Sequence, residues 1–216
     1  MTALWQPYVS FWRQHRLTLL IVVAIAGLSV GGLYARGQPL DLQLFRTINT
    51  GLTTAGFDLL GDVGYVLGTV GFSLLLFVAL FFLGYRPLAA SAVGAVVAAA
   101  LLVLLLKSLT QQPRPAQLLQ GVRLIGVPEL GSGFPSGHGA QAFLTAYLLA
   151  SYFLFPWYDQ LGLYALAGAI ALSRVYVGLH FPVDVLTGSL IGLLFGVLWT
   201  HSRLWPGAQP REGRRR

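Results

Sequence analysis

The chain has 216 residues, of which 56% are hydrophobic and only 10% are charged, whereas about 25% is usual for soluble domains, so an ordinary soluble protein is excluded. The absence of cysteine excludes disulfide bonds and thiolate metal sites. The net charge of +7 is spread over the ends of apolar segments and not gathered on one polar face, so we expect no nucleic acid partner.

Six apolar stretches are long enough, or nearly so, to cross the hydrocarbon layer as helices. Backbone amides in hydrocarbon must be hydrogen-bonded within their own segment, and no stretch alternates like a barrel strand. We therefore predict an all-α bundle of six transmembrane helices that forms one domain over residues 1–216. The stretches are residues 17–35, 67–84, 87–106, 139–155, 161–179 and 184–202.

The first stretch follows Arg13 and Arg16, as a signal peptide would. Its apolar run exceeds the usual hydrophobic region of a signal peptide, and no clear cleavage site ends it, so we expect a retained helix. Residues 36–66 contain three aspartates among leucines and glycines. For this link we predict short helices at the membrane interface.

The Lys and Arg distribution predicts the orientation. When the cations assigned to chemistry below are set aside, eight basic residues lie on the side of the N-terminus and three on the far side. The positive-inside rule then predicts an inner-membrane protein with both termini cytoplasmic, including a basic tail at 203–216. The five tryptophans fall on that same side, as interfacial anchors should.

Three polar clusters fall together on the far, extracytoplasmic side. Ionisable residues at the ends of apolar helices mark a functional site. The clusters are Lys107 to Arg114-Pro115, Pro135-Ser136-Gly137-His138, and Ser173-Arg174 with His180 and Asp184.

The clusters suit a phosphoryl group. Lys107, Arg114 and Arg174 supply positive charge, and guanidinium forks bind phosphoryl oxygens in bidentate fashion. Ser136 is predicted to cap a helix whose first amides, from Gly137 onward, favour an anion. Together these groups would stabilise the charge of a transferring phosphoryl group.

Two histidines have different surroundings in the sequence. Asp184 lies four residues after His180, and Pro182 is expected to start the sixth helix. We therefore expect the carboxylate to bond one ring nitrogen and leave the other as a nucleophile. His138 has no such neighbour and is the candidate for protonating the leaving oxygen.

Other interpretations exist for single residues. Arg174 and Asp184 could form a structural ion pair, and His138, His180 and Asp184 could ligate zinc. A structural pair does not need two further cations and a capped helix start, and three cations would repel a metal ion. His15 and His201 have no motif around them and are interpreted as polar end groups.

The spacing of the three clusters resembles the three-part signature of the type 2 phosphatidic acid phosphatase (PAP2) superfamily. The resemblance implies a covalent phosphohistidine at His180 supported by Asp184, with His138 acting as acid and then as base. It also implies phosphate binding by Lys107, Arg114, Ser136, Gly137 and Arg174, with no metal and no cofactor. The signature lies within residues 107–184.

The resemblance leaves several functions open. The compact chain is similar to undecaprenyl diphosphate phosphatases, with a phosphatidylglycerophosphate or phosphatidic acid phosphatase as a close alternative. A phosphotransferase that passes phosphate to another lipid is a further alternative in the same fold. A transporter or scaffold with a cationic vestibule belongs to a different class. The Gly- and Ala-rich helices permit close packing with an unidentified neighbour, so an oligomer is possible.

Overall fold

The computed structural model describes residues 6–126 and 129–206, and for residues 6–15 it describes the backbone alone. Trp5, the side chains of Trp12 and His15, and the tail at 207–216 lie outside the described part. The described residues form helices and no strand, as predicted. These helices are α1 Gln6–Ala35, α2 Pro39–Asn49, α3 Ala55–Leu67, α4 Val70–Phe82, α5 Arg86–Thr110, α6 Pro115–Leu118, α7 Gly137–Phe153, α8 Trp157–Tyr176 and α9 Pro182–Thr200.

By length and composition, three segments of the described chain can cross a membrane by themselves. They are Arg16–Ala35, Arg86–Leu118 and Pro182–Thr200, with mean hydropathies of 2.2, 2.6 and 1.7. α3 and α4 provide a fourth only as a pair, bent by 64°. α7 and α8 occupy the fourth and fifth predicted spans but do not qualify alone; α7 has 17 residues, a length of about 26 Å. All six predicted positions are thus helical, although α4, one half of the bent pair, is shorter than the span predicted there.

The outer surface of these helices is apolar. On α5, Leu101 and Leu104 expose 61% and 60% of their surface, although this segment has the highest mean hydropathy of the three. Exposure of so much apolar surface to water would be unfavourable. In a bilayer these side chains contact lipid tails, which are equally apolar, so their exposure costs little. The chain is a membrane protein.

The second predicted span, residues 67–84, is not one helix. α3 ends at Leu67, and the hydroxyl of Thr69 caps α4 by accepting from the amide of Phe72 at 3.0 Å. Gly68, between them, lies against α7: a Cβ there would be 2.7 Å from Cδ2 of His138. A glycine at this break therefore lets the start of α7 pack closely.

α7 lies in the middle of the bundle and packs against α5, α8 and most extensively α9. Gly188 and Gly192 on α9 make the closest approach possible, because a side chain at either position would collide with the carbonyls of Ser136 and Ala140. The amide of Ser136 donates to the carbonyl of Asp184 at 2.9 Å. This packing joins the second and third polar clusters at their helix starts.

Candidate active site

The loops that precede α7 and α9 meet around His180, which is completely buried. Its Nδ1 lies 2.6 Å from the carbonyl oxygen of Gly133, and its Nε2 lies 3.4 Å from Nη1 of Arg114. A carbonyl can only accept and a guanidinium can only donate. The contacts therefore place the proton on Nδ1 and the lone pair on Nε2.

The electrostatic surroundings of His180 favour the same state. Burial lowers the pKa of the imidazole, and this effect outweighs the opposing influence of Asp184. Lys107 and Arg114 also lower the pKa. The ring is consequently neutral near neutral pH, as a nitrogen nucleophile must be.

Asp184 is close to His180 but does not form the expected hydrogen bond. Its Oδ2 lies 3.7 Å from Nδ1 of the imidazole and accepts from the amide of Phe181 at 2.9 Å. Its Oδ1 accepts from Nε of Arg36 at 2.7 Å. The expectation of a direct bond is wrong, because the start of α9 and Arg36 engage both carboxylate oxygens. The carbonyl of Gly133 orients the ring instead.

Arg36, at the end of α1, connects the first and third clusters. Besides Asp184, it donates to the carbonyl of Pro113, and its guanidinium lies 4.7 Å from the centre of the Phe181 ring. The side chain is only 5% exposed. It thus clamps the loop before Arg114 against the start of α9.

The two cations of the first cluster point to the same region. Nζ of Lys107 donates to the carbonyl of Ser132 at 2.5 Å. Arg114 donates to the carbonyls of Leu179 at 3.1 Å and Gly131 at 3.3 Å. Because these carbonyls belong to the loops before α7 and α9, the cations hold both loops together.

The second cluster begins α7 as predicted. Ser136 is the N-cap residue, and its hydroxyl accepts from the amide of Gly139 at 3.4 Å. Nε2 of His138 lies 3.2 Å from the carbonyl of Tyr65, so this nitrogen carries a proton and Nδ1 is directed elsewhere. Nδ1 lies 4.0 Å from a carboxylate oxygen of Glu129.

Arg174, on α8, is 1% exposed and donates to Ser173 Oγ at 3.1 Å and 3.0 Å and to the carbonyl of Gly61. It interacts electrostatically with His138 and Glu129. Arg174 therefore lies in the same site as His138 and Glu129, although it uses part of its hydrogen-bonding capacity for contacts within the protein.

Glu129 forms the centre of this arrangement. Oε2 accepts from Nη2 of Arg114 at 2.9 Å, while Oε1 faces His138. The carboxylate also interacts electrostatically with His180 and Lys107. One anionic group thus lies among the cations and histidines from all three clusters.

A family model described as the PAP2 superfamily matches residues 88–207. This match covers more than half of the chain and includes the three clusters. The chain belongs to the PAP2 superfamily. The PAP2 resemblance seen in the motifs is therefore confirmed, and it extends over α5 to α9.

Two relatives of this PAP2 protein match parts of it. Bacitracin transport permease protein BcrC of Bacillus licheniformis is 34% identical over 115 residues, which are 52% of this chain and 55% of that protein. Phosphatidylglycerophosphatase B of Bacillus subtilis (strain 168) is 41% identical over 76 residues, or 32% and 37% of the two chains. The chain thus spans about half the length of the first relative and about a third of the second.

A solved structure extends the similarity over most of the molecule. The crystal structure of Aquifex aeolicus LpxE has a TM-score of 0.69 at 31% identity and covers 77% of this chain and 98% of that chain. The helical membrane architecture is therefore shared beyond the PAP2 motifs.

Two groups in this PAP2 site were missed in the sequence. Arg36 is one of the three far-side basic residues in the count that predicts the orientation, and nothing near it in the sequence indicates that Asp184, 148 residues away, is its partner. Glu129 lies in a loop without any recognisable pattern. Among the described residues, no three His, Cys, Asp or Glu side chains converge as a metal site would require.

Arg36→Ala should destabilise the protein and reduce its activity. The change leaves the carboxylate of Asp184 buried without its charge partner, which typically costs about 3–5 kcal/mol. Thermal unfolding in detergent should show a clearly lowered midpoint, whereas Arg46→Ala, at an exposed position of α2, should show little change. The double variant Arg36→Ala/Asp184→Asn should regain stability, since no uncompensated charge remains. An unchanged midpoint for Arg36→Ala would contradict the clamp.

Proposed function

We propose that this PAP2 protein is a membrane lipid phosphatase that transfers the phosphoryl group of a lipid phosphate or diphosphate first to His180 and then to water. The observation that carries this proposal is the state of His180: a buried neutral imidazole whose lone pair on Nε2 faces Arg114. A nucleophile beside a phosphate-binding cation is the essential requirement for this reaction.

In the first step, Nε2 of His180 attacks phosphorus and forms a P–N bond while the P–O bond to the lipid breaks. Burial and the charge of Arg174 lower the pKa of His138 to about 4, so the resting ring is neutral. Nε2 is held by the carbonyl of Tyr65, so Nδ1 would take the proton of a singly protonated substrate phosphate and donate it to the departing oxygen. In the second step, Nδ1 of His138 accepts a proton from water as the water oxygen attacks phosphorus. The P–N bond breaks, and orthophosphate and the original imidazole are regenerated.

Three side chains and one helix start would hold the phosphoryl oxygens. Lys107, Arg114 and Arg174 supply the charge, and the amides that follow Ser136 at the start of α7 supply neutral donors. Charge at these positions stabilises the transition state, in which negative charge spreads over the phosphoryl oxygens. Asp184 would act through the position of α9 and through its charge near His180.

An apolar cleft beside the site supports a lipid substrate. The cleft has a volume of about 250 Å³ and lies between the α3–α4 break, α5 and α7. Val103 and Leu104 form part of its apolar wall, while Lys107 and His138 line its polar end. A chain attached to the leaving oxygen would thus pass next to the proposed acid.

Undecaprenyl diphosphate is our first candidate substrate, because the segments between the described helices add little extramembrane structure. Phosphatidylglycerophosphate is the second candidate, favoured by the name of the Bacillus subtilis relative. We place the site on the extracytoplasmic side and both termini in the cytoplasm, following the distribution of basic residues.

Purified protein should release orthophosphate from at least one lipid of a panel containing undecaprenyl diphosphate, phosphatidylglycerophosphate and phosphatidic acid. We expect undecaprenyl diphosphate to react fastest, and activity to persist with a chelator. Labelled phosphate should appear as orthophosphate even when a second lipid is offered as an acceptor; label on that lipid would instead identify a phosphotransferase. No transfer from any of these lipids would overturn the proposal.

A further inference from the structure

The carboxylate of Glu129 lies where the substrate phosphate is expected. Its direct neighbours are Nη2 of Arg114, at 2.9 Å, and Nδ1 of His138, at 4.0 Å. Lys107 and Arg174 interact with it electrostatically as well. Under the proposed function, these groups are the ligands and the acid of the reaction, so Glu129 and a phosphate require the same partners.

The hydrogen bonding of Glu129 is incomplete for a residue with a purely structural role. Oε1 is buried but has no hydrogen-bond partner among the described residues, although a buried carboxylate oxygen normally has one. Asp58 and Arg123 show what a structural ion pair looks like in this protein. Both carboxylate oxygens of Asp58 accept from Nη2 of Arg123 at 2.7 Å. Glu129 therefore has one strong bond and one oxygen that only faces the acid.

We infer that Glu129 is a specificity-determining residue whose carboxylate competes with phosphate for Arg114 and His138. The inference rests on the proposed function, because it takes the phosphate ligands from it. A lipid phosphate gains favourable contacts for its chain in the apolar cleft, and these offset the displacement of the carboxylate. Orthophosphate has no chain, so Glu129 excludes it and helps to expel the product.

Glu129→Gln should bind small phosphate-like anions more tightly. The amide has nearly the same size but lacks the charge, so its bond to Arg114 is weaker than that of the carboxylate, and the difference corresponds to up to about ten- to a hundredfold in affinity. Binding of radiolabelled orthophosphate to purified protein should tighten by this factor, and vanadate should inhibit at correspondingly lower concentrations. The kcat/KM for a water-soluble phosphate ester should rise more than that for the lipid substrate.

Asp58→Asn is the matched control, because it neutralises a carboxylate paired with Arg123 outside the site. It should leave orthophosphate affinity unchanged. If Glu129 only orients His138, Glu129→Gln would instead lower kcat without tightening orthophosphate binding, and the inference would be overturned. Unchanged or weaker orthophosphate binding would overturn it too.

The binding measurement needs no turnover, so it separates this inference from the proposed function. If Glu129→Gln binds orthophosphate more tightly but the wild type hydrolyses no lipid, the competition stands and the proposed reaction fails. If lipids are hydrolysed but the variant does not bind orthophosphate more tightly, the reaction stands and the competition fails.

Discussion

His180→Gln should lower the rate of phosphate release from the lipid substrate by at least about 10⁴-fold, because loss of a nucleophile removes the covalent route. Glutamine approximates the volume of the imidazole, so the substitution removes the nucleophilic nitrogen without leaving a large cavity in the buried loop. Initial rates with the best lipid of the panel provide the measurement. Wild-type protein quenched in alkaline detergent should carry an acid-labile phosphoryl label that is absent from the variant.

His201→Gln is the matched control for this prediction. His201 is exposed at the far end of α9, and its Nδ1 lies 2.8 Å from the carbonyl oxygen of Val197. Its replacement should leave the rate of phosphate release within about twofold of the wild-type rate. A His180→Gln variant that folds but keeps its rate would exclude the phosphohistidine. Phosphate transfer would then need another nucleophile. The alternative of a transporter with a cationic vestibule would also have to be reconsidered.

The helix starts of the site could be predicted because their signals are local. Ser136 caps α7, and Pro182 begins α9, as expected from the preferences of serine at the N-cap and proline in the first turn. The order of the predicted spans also brought the clusters that contain Arg114 and His180 to the same end of the bundle, where these two side chains meet. Such features need only a few consecutive residues and a knowledge of helix geometry.

The partners of these residues could not be predicted, because they depend on packing between distant segments. Asp184 is close enough in sequence to suggest a bond to His180, but the fold brings Arg36 from α1 to the same carboxylate. The carbonyl of Gly133 then accepts the hydrogen bond from Nδ1 of the imidazole. Every residue has a backbone carbonyl, so the sequence does not indicate which one accepts this hydrogen bond.

The break between α3 and α4 has a similar origin. Residues 67–84 have the composition of a continuous span that contains Gly68, Gly71 and Gly84. Glycines within an apolar helix are ordinary in membrane proteins, so the sequence does not single out Gly68 as a break. Here the close approach of His138 and Ile170 to Gly68 shows what the break accommodates, and this depends on where α7 and α8 pack.

His138→Gln should lower kcat by about 10²–10⁴-fold for a substrate with a poor leaving group, the usual range for loss of a general acid. The effect should depend on the leaving group. Phosphatidylglycerophosphate releases an alkoxide-like oxygen that needs a proton, whereas p-nitrophenyl phosphate releases a stable phenolate. The variant should therefore form the phosphohistidine from p-nitrophenyl phosphate nearly as fast as the wild type.

The second step should remain slow for either substrate, because His138 is also the base that activates water. Rapid-quench measurements with the variant and p-nitrophenyl phosphate should show a burst of nitrophenolate followed by slow release of orthophosphate, with phosphoryl label accumulating on His180. Equal losses for both substrates without accumulated label would contradict the acid–base assignment. His138 would then act through its contact with Tyr65 and its place at the start of α7, and water would have to deliver the proton.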